Sequence, residues 1–180
     1  MSQKPFPVLE TRRLRLRAIE ADEAPALSGI SYYDGKAARS PGEAMVMLRR
    51  IRQDYEAGQT IHWGLELKAE EKLVGTCGFY RSFANQEGEI GYVLLPAYRG
   101  QGLMREAVRA AIDYGFRELG LYRIIAYTSH DNVASIRLLQ ETGFDRVPDQ
   151  PDGILAKFVF HNPYRERETE PADDLNENDL

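Results

Sequence analysis

Residues 88–107, GEIGYVLLPAYRGQGLMREA, constrain the chain more than any other stretch. An apolar strand-like run leads into a turn with two glycines, Gly100 and Gly102, set between Arg99 and Arg105. A long amphipathic pattern follows, with Leu103, Ala107, Ala110 and Tyr114 at helical spacing and a stop at Gly120. Residues 122–129, YRIIAYTS, are again apolar and β-rich. A strand, a helix and a second strand in that order make a β-α-β crossover.

The remaining pattern places this crossover in a larger sheet. Residues 14–19, LRLRAI, alternate as a half-buried strand does. Residues 20–30 predict a short helix. Ser40 as N-cap, Pro41 at the first helical position and a stop near Gly58 predict a second, with Met45, Leu48, Ile51 and Tyr55 on its inner face. Three strands, 60–68, 72–82 and 88–96, are separated by the turn signals AEE and ANQE and form an antiparallel meander. After the crossover, 131–144 predicts a helix with an Asx start and a stop at Gly143. A last strand follows at 153–162, and 144–147 suits a short one. The expected fold is α/β (α+β): a mixed, mostly antiparallel central sheet flanked by helices.

The 180-residue length suits a single domain over 1–163. The charged segment 164–180, poor in aromatics, reads as a mobile acidic tail. A net charge of −5 argues against nucleic acid as a partner. One cysteine, Cys77, rules out an intrachain disulfide, and a strand-interior thiol with no basic neighbour reads as packing. His62, His130 and His161 lack metal-ligand spacing, so no metal is expected. With no signal-peptide shape and no apolar run near the roughly 20 residues of a membrane span, the expected location is cytoplasmic.

The turn itself carries chemistry. A helix N-terminus offers unpaired N–H groups and a positive dipole end, and glycines let a ligand approach the backbone. A pyrophosphate fits such a turn, although an ordinary strand-to-helix bend would use glycine too. The turn lacks the G-K-[ST] of a Walker loop and the third glycine of the dinucleotide fingerprint.

Arg99-Gly100-Gln101-Gly102-Leu103-Met104 resembles the [Q/R]-x-x-G-x-[G/A] loop of the GNAT superfamily of acyl-CoA-dependent N-acetyltransferases, departing at Met104. NVASIRLLQETGF (132–144) is similar to that family's asparagine helix. TRRLRLRAI and EIGYVL resemble the RimJ/RimL type, the ribosomal-protein N-terminal acetyltransferases. The likeness covers roughly residues 8 to 162.

The resemblance implies acetyl-CoA as cosubstrate. Its pantetheine arm would pair with the backbone of Val93, Leu94 and Leu95, and its pyrophosphate would sit on the amides of Gln101 to Met104. Asn132 would contact it as well, besides suiting a helix cap. Glu89 is the candidate base, the bland reading being a solvated strand-end charge. Many members carry a tyrosine acid seven residues after the asparagine; here that position is Leu139. Ser135 is the corresponding RimL-like candidate for donation to the leaving thiolate, or a helix-turn serine bonded only to backbone. The acceptor is an amine, either a protein or peptide N-terminus or a small molecule such as a polyamine, an amino acid derivative or an amine antibiotic. A homodimer fits this kind of enzyme. A non-catalytic acyl-CoA-binding module is the reading from another class.

Overall fold

The computed structural model of the chain describes residues 5–33, 36–81, 83–149 and 153–165. The strands are β1 (Leu9–Glu10), β2 (Leu14–Arg17), β3 (Tyr32–Tyr33), β4 (Lys36–Ala37), β5 (Ile61–Leu67), β6 (Lys72–Phe79), β7 (Glu87–Leu94), β8 (Arg123–Ser129), β9 (Asp145–Arg146) and β10 (Leu155–His161). The α-helices are α1 (Pro41–Glu56), α2 (Leu103–Arg117) and α3 (Val133–Glu141). Eight strands form one sheet in the order β1-β2-β5-β6-β7-β8-β10-β9, and β3 pairs with β4 separately. The β7–β8 pair is parallel, as the crossover through α2 demands, and its sheet neighbours pair antiparallel. This is the mixed α/β sheet that the pattern predicts.

Strand alternation gives the sheet two apolar faces. One carries Leu14, Leu16, Trp63, Leu65, Cys77, Phe79, Ile90 and Leu94 against Leu103, Ala107, Val108 and Ala111 of α2. The other lies under α1 and a 3-10 turn at Ala24–Ile30, where Ile19, Leu27, Ile30 and Leu48 meet Leu73, Val93 and Leu95. Central β5 and β6 are therefore buried on both sides, as their near-continuous apolar runs require.

Several local expectations shift. The helix expected within 20–30 is a 3-10 turn. Ser40 does cap α1, its hydroxyl accepting from the Glu43 amide at 3.2 Å, with Pro41 opening the helix. The buried positions of α1 are Ala44 and Leu48, while Met45 is 42% exposed. The helix is turned so that a small residue meets the sheet and Met45 faces water. The tail from 166 onward lies outside the described residues. No described helix is long and apolar enough to cross a membrane.

Candidate active site

The parallel pairing of β7 with β8 covers only Glu87–Glu89 against Arg123–Ile125. Beyond it the two strands part, β7 continuing to Leu94 and β8 to Ser129. The opening is a cleft of about 560 Å³, lined by Tyr92, Val93 and Leu94 of β7, the glycine turn, and Asn132, Ser135 and Leu138 beside or within α3. That volume suits a sizeable organic ligand.

The strand groups facing the cleft follow from the register. The Leu95 amide donates to the Val74 carbonyl at 2.9 Å, and the Tyr80 amide donates to the Glu89 carbonyl at 3.0 Å. Pairing between β6 and β7 is unbroken between these ends. Backbone bonding alternates along an antiparallel strand, so Glu89, Gly91, Val93 and Leu95 turn their groups toward β6. Tyr92 and Leu94 turn theirs to the cleft. An extended ligand would thus pair with Tyr92 and Leu94 rather than with Val93 and Leu95. The Val93 side chain lines the cleft, and Leu95 packs on the α1 side.

The turn below is backbone-built. Gly100 and Gly102 both have φ of +75°, a conformation open to glycine and strained for side chains. Gly102 is the N-cap of α2, and the Glu106 amide makes the first helical bond, to the Gly102 carbonyl at 3.3 Å. The amides of Gly102, Leu103, Met104 and Arg105 therefore have no partner within the helix. Arg99, Arg105 and Arg137 line the cleft around one carboxylate, Glu141, which pairs with Arg105 and Arg137. The excess of guanidinium and the helix dipole both favour an anion there. Arg99 itself turns back, its Nε donating to the Leu94 carbonyl at 3.1 Å. The Gln101 side chain donates to the Ala97 carbonyl at 3.2 Å.

A clamp that sequence reading missed braces this turn. Glu106 accepts from the Thr11 hydroxyl at 2.6 Å, the Arg13 amide at 2.6 Å and Arg13 Nε at 2.9 Å. Arg13 Nη1 then donates to the Gln101 carbonyl at 2.9 Å, drawing that oxygen to the side of β2. Burial opposes ionisation of Glu106, but these donors outweigh it and hold its carboxyl below the usual range.

Asn132 caps α3, its Oδ1 accepting from the Ser135 amide at 3.1 Å, and it also lines the cleft. The Ser135 hydroxyl meets the Tyr92 phenol at 2.9 Å. Nothing local signals this pair, which lies 43 residues apart in the chain. Burial pushes the Tyr92 phenol up to about 12, partly offset by the Ser135 bond.

Glu89 stands on the opposite face of β7, three positions from Tyr92 and of opposite parity. Its side chain is 22% exposed, with Arg81 Nε at 3.1 Å. Burial raises its pKa above the ordinary carboxylate value, Arg81 lowers it and Glu87 raises it further. Beside it, Tyr80 lies over Gly91, where an added Cβ would come within 2.4 Å of the ring. The Tyr80 phenol reaches His62 Nε2 at 2.9 Å. Burial lowers His62 to about 4, so its imidazole is neutral.

The model of the acetyltransferase (GNAT) domain matches residues 13–145. The chain belongs to the GNAT acetyltransferase family. It is 34% identical to the uncharacterized N-acetyltransferase YoaA of Bacillus subtilis, over 88% of this chain and 93% of that one. It is 32% identical to the spermidine N(1)-acetyltransferase of Escherichia coli, over 45% of this chain and 41% of that enzyme. Its fold matches RimL, the ribosomal L7/L12 alpha-N-protein acetyltransferase solved with coenzyme A, at a TM-score of 0.74 and 18% identity, covering 86% and 98% of the two chains. The protein is an acetyl-CoA-dependent N-acetyltransferase. The open strand edge and the anion-friendly turn of this GNAT chain fit an extended amide arm ending in phosphates.

Other residues singled out from the sequence lie elsewhere. Trp63 is fully buried and donates to the Pro7 carbonyl at 2.9 Å. Tyr55 packs on Phe6 with ring centroids 4.8 Å apart. The Tyr33 phenol donates to Asp54 at 3.0 Å. His130 is an exposed loop residue 3.2 Å from the Gly153 carbonyl. Cys77 is buried, which pushes its thiol up to about 12 and keeps it unreactive. Among the described residues no cluster of His, Cys, Asp and Glu could hold a metal ion.

Proposed function

We propose that this GNAT enzyme is of the RimJ/RimL type and transfers the acetyl group to the α-amine of a protein or peptide N-terminus, by direct attack in a ternary complex. The observation that carries the mechanism is the partition across β7. Glu89 stands on the α1 face, and Tyr92 with Ser135 stands on the cleft face. In acyl transfer from a thioester the incoming amine and the leaving sulfur need a base and an acid on different sides of the reacting carbon. Glu89 takes the amine proton, directly or through water, and its raised pKa brings it nearer the amine it must deprotonate. Ser135 donates toward the sulfur, and Asn132 holds the first turn of α3 in place. The inward N–H groups of β7 polarise the carbonyl.

The acceptor class follows from charge. An α-amine near pKa 8 is far less protonated at neutral pH than an alkyl amine near 10. A polyamine calls for unengaged carboxylates on the acceptor face. Instead Glu23 and Glu66 pair with Arg17, Glu87 with Arg123, and Glu89 with Arg81. The likeness to the spermidine N(1)-acetyltransferase favours a second reading, a small amine acceptor. Release of free thiol from acetyl-CoA, measured against N-terminal peptides, polyamines and aminoglycosides, decides. We expect kcat/KM to be highest on peptides; faster turnover of a polyamine or aminoglycoside would replace the first reading with the second.

A further inference from the structure

Many GNAT enzymes supply the leaving thiolate with a proton from a tyrosine on the helix after the asparagine. Here that position is Leu139, which is fully buried in the core. A phenol nevertheless reaches the cleft from the neighbouring strand. Tyr92 projects from β7 and meets the Ser135 hydroxyl at 2.9 Å, and both residues line the cleft.

We propose that Tyr92 and Ser135 form a two-member proton relay to the leaving sulfur, Ser135 touching the sulfur and Tyr92 acting through Ser135 as a positioning residue. The inference rests on the reading that acetyl-CoA occupies this cleft. A phenol is a stronger donor than an alcohol, so the Tyr92 hydroxyl donates to Ser135 Oγ. The serine's own hydrogen is then left to point into the cleft. As the C–S bond breaks, its electron pair goes to sulfur. The Ser135 O–H bond breaks and an S–H bond forms. The Tyr92 proton moves to Ser135 Oγ, and the phenolate regains a proton from water in the open cleft. The proton that Glu89 took from the amine returns to water, so the balance closes. A lone serine would be left as an alkoxide, close in basicity to hydroxide at about 15.7. With the relay the charge rests on a phenol of about 12 instead.

The pair is separable from its surroundings by experiment. Tyr92→Phe keeps the ring and its packing and removes only the hydroxyl. Ser135→Ala removes the relay's second member, and Ser135→Thr restores a hydroxyl. Two quantities are read on each variant alongside the wild type. One is steady-state kcat and KM. The other is the thiol pKa of bound coenzyme A, from thiolate absorbance in the ultraviolet against the desulfo-coenzyme A complex. Calorimetry with coenzyme A and a thermal melt are run first on every variant.

We expect Ser135→Ala to lower kcat by about 100-fold and Tyr92→Phe by about 10-fold, the range of one positioned acid. Coenzyme A affinity and the KM for the amine should change less than about threefold. The bound thiol pKa should rise in both variants, and Ser135→Thr should recover most of kcat. The double variant should be no slower than Ser135→Ala, because residues acting as one unit are not additive. The relay is overturned if Tyr92→Phe keeps full kcat and an unchanged bound thiol pKa. It is equally overturned if the two losses multiply, or if Tyr92→Phe loses coenzyme affinity alone. Wild-type protein that binds no coenzyme A would remove the underlying reading as well. Binding and turnover with a silent Tyr92→Phe would remove only the relay.

Discussion

On one side, β7 looks onto an open cleft of about 560 Å³ whose floor is backbone: two glycines at φ +75° and the first amides of α2. On the other side the same strand lies beneath α1 and the Ala24–Ile30 turn, and its polar groups are held by side chains from several elements. Arg81 meets Glu89, and His62 meets Tyr80. A backbone floor recognises what all members of a cosubstrate class share, amide and phosphate. A side-chain surface recognises what differs between acceptors. The same division explains why the phosphate side is a short motif and the acceptor side is not.

The sharpest way to break this comparison is Glu89→Gln. We expect kcat to fall about 100- to 1,000-fold with coenzyme A affinity unchanged, by turnover and calorimetry. In wild type the acid limb of the kcat/KM profile should lie above the ordinary carboxylate value, because a base raised by burial is lost at higher pH. The limb should vanish in the variant. Equal losses of affinity and kcat would mean that the two faces are not separate.

Gly102→Val tests the other face. A β-branched residue at φ +75° costs about 1 to 3 kcal/mol, so we expect coenzyme A affinity to drop by roughly 10-fold or more. The KM for the amine should hardly move. A variant that binds coenzyme A normally would show that the turn is a bend and not a cradle.

Glu106→Ala should have a smaller effect on binding and a measurable one on stability. It leaves Thr11 and Arg13 without their carboxylate, at about 2 kcal/mol in a denaturation experiment. It also frees the Gln101 carbonyl from its brace, for which we expect an affinity loss of a few-fold. The Glu106 carboxyl is depressed in the folded chain below its ordinary 4.5. Its stabilisation is complete above 4.5 and is lost as pH falls through the depressed value. Glu106→Gln should therefore flatten the acid side of the melting-temperature curve. The smallest effect is expected at Cys77: native protein should resist alkylation that unfolded protein undergoes, and turnover should survive the reagent.

Part of this was legible beforehand because it is local. The strand period, the Ser40 cap and the glycine punctuation predict the element order, and the GQGL turn announces a helix N-terminus. The helix faces were less legible. The pattern Met45, Leu48, Ile51 and Tyr55 fits one side of α1, yet Ala44 and Leu48 are the residues that meet the sheet. A helical stripe several residues wide leaves the rotation of the helix to its packing partner. The arm-binding residues erred by one position for a related reason. The sequence marks which strand borders the cleft, but the direction of each backbone group is set by the register with β6.

What the sequence by itself determined is the mixed sheet, the β-α-β crossover and the glycine turn, since each depends on neighbours in the chain. The tertiary structure alone decided the Thr11–Arg13–Glu106 clamp and the Tyr92–Ser135 contact. It also decided the separation of Glu89 from that pair across β7. These join residues 43 to 95 positions apart, or divide residues three apart onto opposite faces. Hydrogen bonds act over about 3 Å of space, and no spacing rule along a chain carries that distance once strands pair out of sequence order.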